Sequence, residues 1–180
     1  MKKKLFIFPL LLVFIMGCSM MMDMAAREKV YGKAAPVITD SFASKELMPG
    51  DTWKVYLKAS DPDGDMDSIV NEIYQGGVGD YPISFTRIRE GNGKELNGYV
   101  YLNTLNPSGS QWENFWTITL TLYIKDKAGH YSKPVVFQLT FQGRSSQEPP
   151  PSGVFQEQDL GPILVNLRPI DDGNQGDRDR

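Results

Sequence analysis

A chain of 180 residues is long enough for one ordinary domain with extensions and too short for two full ones. Its 22 acidic residues outnumber its 19 basic ones, and Lys2, Lys3 and Lys4 sit together at the start, so no basic stripe remains to track a nucleic-acid backbone, although net charge says nothing of a local patch. One cysteine rules out an internal disulfide, and with a single histidine it leaves no zinc, haem or iron–sulfur ligand set, so any metal here would be a hard cation held by oxygen.

Residues 1–17 read as an export signal: three lysines, an almost wholly apolar run from Leu5 to Met16, and a small residue, Gly17, where a peptidase approaches the backbone. The run falls short of the about 20 apolar residues that a membrane-crossing helix needs. Ile15-Met16-Gly17-Cys18 resembles the lipobox of bacterial lipoproteins, with Met16 standing where Ala or Ser is commoner. The resemblance implies diacylglycerol on the Cys18 sulfur, cleavage before Cys18, acylation of the new amino terminus and residence in the bacterial cell envelope. Ser19 resembles the residue of lipoproteins sent to an outer membrane, facing periplasm or exterior, in a host that has one. Several acyl chains hold firmly, since each buried CH₂ contributes about 0.8 kcal/mol. An ordinary secretory signal with Cys18 near its cut is the alternative.

Residues 18–35 form a lipidated tether in which Met24 to Lys29 can turn helically. Residues 36–142 carry a period of two. After Pro36 comes an edge strand from Val37 to Asp40, and then a turn at Pro49-Gly50-Asp51. From Trp53 to Ala59 the residues Trp53, Val55, Leu57 and Ala59 face a core while Lys54, Tyr56 and Lys58 face out. Ser68 to Tyr74, Ile83 to Arg87 and Leu96 to Leu102 repeat the pattern, separated by Gly76, Gly77 and Gly79 and by Gly91-Asn92-Gly93. Phe115 to Ile124 is the longest run, expected in the middle of a sheet, and Val135, Phe137, Leu139 and Phe141 form the last alternating face. About seven short strands between polar turns predict an all-β fold of two packed antiparallel sheets.

Ser60-Asp61-Pro62-Asp63-Gly64-Asp65 resembles the Asp-Pro-Asp-Gly-Asp turns of bacterial immunoglobulin-like, PKD-like and cadherin-like modules. Tyr123 to His130 resembles the strand-to-turn ending of such modules, so the resemblance spans about Pro36 to Gln142 and implies an immunoglobulin-like β-sandwich. Asp61, Asp63, Asp65 and Asp67 alternate along the first loop, and an immunoglobulin-like order would set that loop beside Asp126. No cofactor is expected; Ca²⁺, which takes about 6–8 oxygens, is the one candidate, for which these carboxylates and nearby carbonyls would form the site. The alternative is that the aspartates cap a turn through local backbone hydrogen bonds. An EF-hand does not fit: counted from Asp61, Gly64 is fourth where the motif needs sixth, and strands flank the loop.

His130 alone makes no catalytic constellation, and a non-catalytic chain is expected. Tyr56, Tyr99, Tyr101 and Tyr123 fall on outward faces, as a contact surface for protein or carbohydrate or as cross-strand pairs that steady the sheet. Residues 143–180 read as a Pro-rich, largely disordered tail. Within it Ile163, Leu164, Val165 and Leu167 either dock as a short strand or meet a partner, and Asp171 to Arg180 lacks packing residues. The functional expectation is a membrane-anchored envelope lipoprotein of binding or assembly type, its partners the membrane through Cys18 and an envelope protein or polysaccharide. A structural spacer, or a calcium-stabilised adhesion or carbohydrate-binding module, are the alternatives.

Overall fold

The alternating runs become strands in a computed structural model that describes residues 23–104 and 117–168. The expected export signal, Cys18, Phe115, Trp116 and the charged end from Asp171 lie outside the described residues. A short helix, α1 (Met24–Tyr31), comes first. The strands in chain order are β1 (Val37–Ala43), β2 (Glu46–Leu47), β3 (Thr52–Ser60), β4 (Met66–Gln75), β5 (Gly79–Asp80), β6 (Ser84–Arg87), β7 (Glu95–Asn103), β8 (Thr117–Asp126), β9 (Val135–Phe141) and β10 (Asp159–Pro162).

One sheet runs β1-β3-β7-β10 and the other β2-β9-β8-β4-β5, with β6 also on β4. The neighbours β1-β3-β7 facing β9-β8-β4 reproduce the strand order of an immunoglobulin-like sandwich. Between the sheets, Trp53, Val55, Leu57, Val100 and Leu102 meet Ile69, Ile73, Leu120, Leu122, Ile124 and Leu139. Each such side chain stabilises the fold by about 1.5–3 kcal/mol. Trp53 is fully buried, and its indole N–H is satisfied by the Ser44 carbonyl at 2.9 Å. β8 lies between β9 and β4, the interior place expected of the longest run.

Three expectations need correction. The sheets are mixed, since β2 pairs with β9 and β10 with β7 in parallel, and short β2, β5 and β10 raise the strand number above seven. Among residues 83–87 the polar Ser84 and Thr86 face inward, whereas Ile83 and Phe85 are exposed. Thr86 is drawn in by polar partners, donating to the Pro162 carbonyl at 2.7 Å and accepting from Asn71 Nδ2 at 3.3 Å.

The largest correction concerns the domain's end. The folded unit does not stop at residue 142, because β10 lies along β7 and Leu160, Ile163 and Leu167 are buried in the core. Tight packing admits the strap: a Cβ at Gly98 would collide with the Gln158 carbonyl, and Gly161 takes φ +129°, which side-chain-bearing residues rarely adopt. The triple proline precedes the strap and, with a strand of only four residues, hides the period that would have revealed it.

Candidate metal centre

Three carboxylates converge where loops meet at one end of the sandwich. Asp61 comes directly after β3, Asp65 directly before β4, and Asp126 closes β8. The β4–β8 register, which pairs Met66 with Asp126 and shifts before Ser68, brings the last two together. Each of the three offers an oxygen within 4.8 Å of the others, and all three residues are buried.

Backbone groups fix the arrangement. Asp61 accepts from the Asp63 N–H at 2.9 Å, and Asp65 Oδ2 from the Ala128 N–H at 3.3 Å. Asp126 Oδ1 accepts from the N–H groups of Gly129 and His130 at 2.6 and 2.7 Å, a turn that Gly129 permits at φ +108°. The 88–94 connection staples the first loop, with the Asp61 N–H donating to the Lys94 carbonyl and the Met66 N–H to the Gly93 carbonyl.

Two of the carboxylate oxygens remain without a partner among the described residues, Asp61 Oδ2 and Asp65 Oδ1. Burial first, and then the negative charges of Asp126 and Asp61, push the Asp65 carboxyl above its ordinary range. Buried acceptors that lack donors, packed beside like charges, are costly to a fold. Three carboxylates with two oxygens to spare have the donor chemistry of a hard divalent cation.

Asp63 and Asp67, grouped with the triad by spacing alone, are not part of it. Asp63 is exposed, and its Oδ2 accepts from the Ala34 N–H at 2.7 Å, while Asp67 stands 3.8 Å from Arg87. His130 reaches the centre indirectly: its Nδ1 lies 2.8 Å from Asp126 Oδ2, and its Nε2 lies 3.3 Å from Glu28 Oε1 on α1. The hydrogen bond to Asp126, assisted by Glu28, raises the imidazole's pKa. Glu28 carries no motif, and only the folding of α1 onto this loop gives it a place. Residues 24–34 are therefore seated on the sandwich rather than strung loosely before it.

The outward tyrosines divide. Tyr56 is buried rather than available as contact surface, because Phe155 covers it at 5.6 Å between ring centres, with Tyr99 at 5.5 Å on its other side. Its hydroxyl donates to Glu157 at 2.6 Å, and burial followed by this bond pushes its pKa up to about 12. Tyr99, Tyr101 and Tyr123 are half-buried. Ile163 and Leu167 belong to the core and Val165 packs on it, which leaves Leu164, 67% exposed, as the outward residue of that group.

No protein family matches the sequence, and no curated protein does. Among solved structures, the chain is similar to the CARDB domain of the PF1109 protein from Pyrococcus furiosus, determined in complex with di-metal ions. That likeness covers 61% of this chain and 89% of that one at 8% identity and a TM-score of 0.32. It carries no argument about this chain, whose fold rests on its own strand order.

Proposed function

We propose that the protein is a non-catalytic, lipid-tethered module of the bacterial cell envelope, anchored at Cys18 and locked at its tether-side end by Ca²⁺ on Asp61, Asp65 and Asp126. The carrying observation is the pair of unpartnered, buried carboxylate oxygens on Asp61 and Asp65. A divalent cation supplies both missing partners and positive charge to set against three carboxylates. Ca²⁺ suits an irregular cage better than Mg²⁺, which demands near-octahedral geometry and sheds water reluctantly. Additional oxygens for such a cage are available from loop carbonyls and water.

A non-catalytic role is supported by His130, whose two ring nitrogens are both engaged by carboxylates, so it offers no free base. Presentation of a distal segment is supported by the course of the chain. It enters beside Ser60 at the carboxylate end, while residue 168 is held by Gln75 and Tyr81 at the other end of β4. Ten residues of β4 separate the two ends by about 30 Å at 3.3 Å per residue. Arg168 is thereby held at the end away from the tether, the side that would face an envelope protein or polysaccharide.

Calorimetry of the mature chain is expected to show one Ca²⁺ site, with unfolding stabilised by about 2.7 kcal/mol at a hundred-fold excess over Kd. Asp65→Asn is expected to abolish both effects. Absence of binding heat, together with melting unchanged by chelation, would sink the cation reading. Mass spectrometry of the amino-terminal peptide tests Cys18 separately.

A further inference from the structure

The end of the sandwich that carries the carboxylates also carries a cleft of about 530 Å³, walled by the 87–94 connection, Gly64, Met66 and Lys127. Four cationic side chains, Arg87, Arg89, Lys94 and Lys127, line it against two acidic ones, Asp67 and Glu90. Among these four only Arg87 is in an ion pair, 3.8 Å from Asp67; Arg89, Lys94 and Lys127 are exposed and form no ion pair among the described residues. In a chain of net charge −3, this concentration of unpaired cations stands against the overall balance. Such a cleft has the chemistry to seat a phosphate.

The position of the tether selects which phosphate. α1 lies on the loop after β8, through Glu28 and His130, and Ala34 bonds to Asp63, so the chain's amino-terminal part approaches the sandwich at this same end. Cys18 precedes the described residues by five positions, a span of at most about 18 Å at 3.6 Å per residue. The helix from Asp23 to Glu28 adds only about 8 Å at 1.5 Å per residue. A lipid on Cys18 therefore holds this end within a few tens of ångströms of the bilayer surface, with the distal end turned away.

We infer that the cleft of Arg87, Arg89, Lys94 and Lys127 docks the phosphate headgroup of an anionic phospholipid in the membrane that holds the anchor. The inference rests on the tethered reading above for its geometry, and it gives the acyl anchor a second, electrostatic hold. The carboxylate centre adjoins the cleft through Gly64 and Lys127, the neighbours of Asp65 and Asp126. A bound cation would neutralise the negative wall behind the docked phosphate.

The test uses the mature chain from Ser19 onward, produced without lipid and retaining every described residue, so acylation cannot drive binding. With Ca²⁺ present, it is expected to sediment with vesicles containing about one-third phosphatidylglycerol and to stay in solution with pure phosphatidylcholine. Added salt should weaken the binding. Arg89→Gln, Lys94→Gln and Lys127→Gln combined should lower vesicle partition ten-fold or more. These side chains are exposed, so melting should hold steady and report that the variant is folded. Lys45→Gln, a cation at the opposite end, should leave partition unchanged.

Equal partition of the triple variant and the parent, equal partition onto neutral vesicles, or equal weakening by Lys45→Gln would each overturn the proposal. Binding of inorganic phosphate without any vesicle preference would overturn the membrane source. An unmodified Cys18, found by mass spectrometry of the native protein, would remove the tether while leaving the vesicle result standing, so the two failures are separable.

Discussion

The two ends of the sandwich both bury polar side chains, yet they bury them differently. At the distal end Gln75 is fully enclosed and complete: its oxygen accepts from the Tyr81 hydroxyl, its amide donates to the Arg168 carbonyl, and Tyr81 in turn accepts from the Arg168 N–H. At the carboxylate end Asp61, Asp65 and Asp126 are also buried, but two of their oxygens have no donor among the described residues and their three carboxylates face a single imidazole. Burial therefore does not mark a site. What separates a structural polar cluster from a candidate binding one is whether its own atoms close the set of hydrogen bonds and charges.

Removing residues 154–168 breaks the distal end outright. It strips Leu160, Ile163 and Leu167 from the core, a loss of about 6 kcal/mol that is comparable with a domain's whole stability. The truncated chain is expected to lose cooperative unfolding in denaturant, and a normal transition would mean that the strap only decorates the sheet. Next in size is Asp126→Ala at the carboxylate end. It orphans the N–H groups of Gly129 and His130 and releases the imidazole, so a cost of about 3 kcal/mol is expected from denaturant unfolding.

A smaller effect sharpens the contrast through pH. Asp65 has a folded pKa above its unfolded one, so the cation-free native chain holds the proton more tightly than the unfolded chain. This group's contribution is thus most favourable below the ordinary carboxylate range and is lost as pH rises through the raised value. Without calcium, the difference in melting temperature between parent and Asp65→Asn should widen as pH climbs from acid toward neutral, with the variant the more stable at neutral pH. A difference that stays flat across that range would contradict the strained-carboxylate account. The smallest signal is at Tyr56, whose phenol should ionise at about 12 in an ultraviolet titration.

The strand framework was largely legible because strands such as β3, β7 and β8 have a dry face and a wetter one. Trp53, Val55 and Leu57 alternate with Lys54 and Lys58, and a register slip would turn all five to the wrong side. The strap was half legible: docking is one of the two readings that Ile163 to Leu167 allow, but Asp159-Leu160-Gly161-Pro162 offers one inward residue, and its parallel pairing depends on Gly98, far upstream of the proline run. Tyr56 shows the same limit, since alternation correctly turned it away from the core but carried no sign that Phe155 would return to cover it.

The acidic loop was half legible. Asp61, Asp63, Asp65, Asp67 and Asp126 were all visible, and spacing treated them alike. Which three meet is decided by the shift between Met66 and Ser68 on β4 and by the Asp63 carboxylate turning toward Ala34. Neither cause leaves a trace in residue spacing, because one is a property of strand pairing and the other depends on a segment 29 residues away.

The late position of β10 has a consequence for how the molecule comes into being. Its partner β7 is made far earlier in synthesis, and until Leu160, Ile163 and Leu167 emerge, the groove beside β7 has nothing from the strap to fill it. A chain still being synthesised is therefore a poor candidate for premature closure, and stays pliable until most of its length has appeared. The latch at the end of the thread thus sets the order of events.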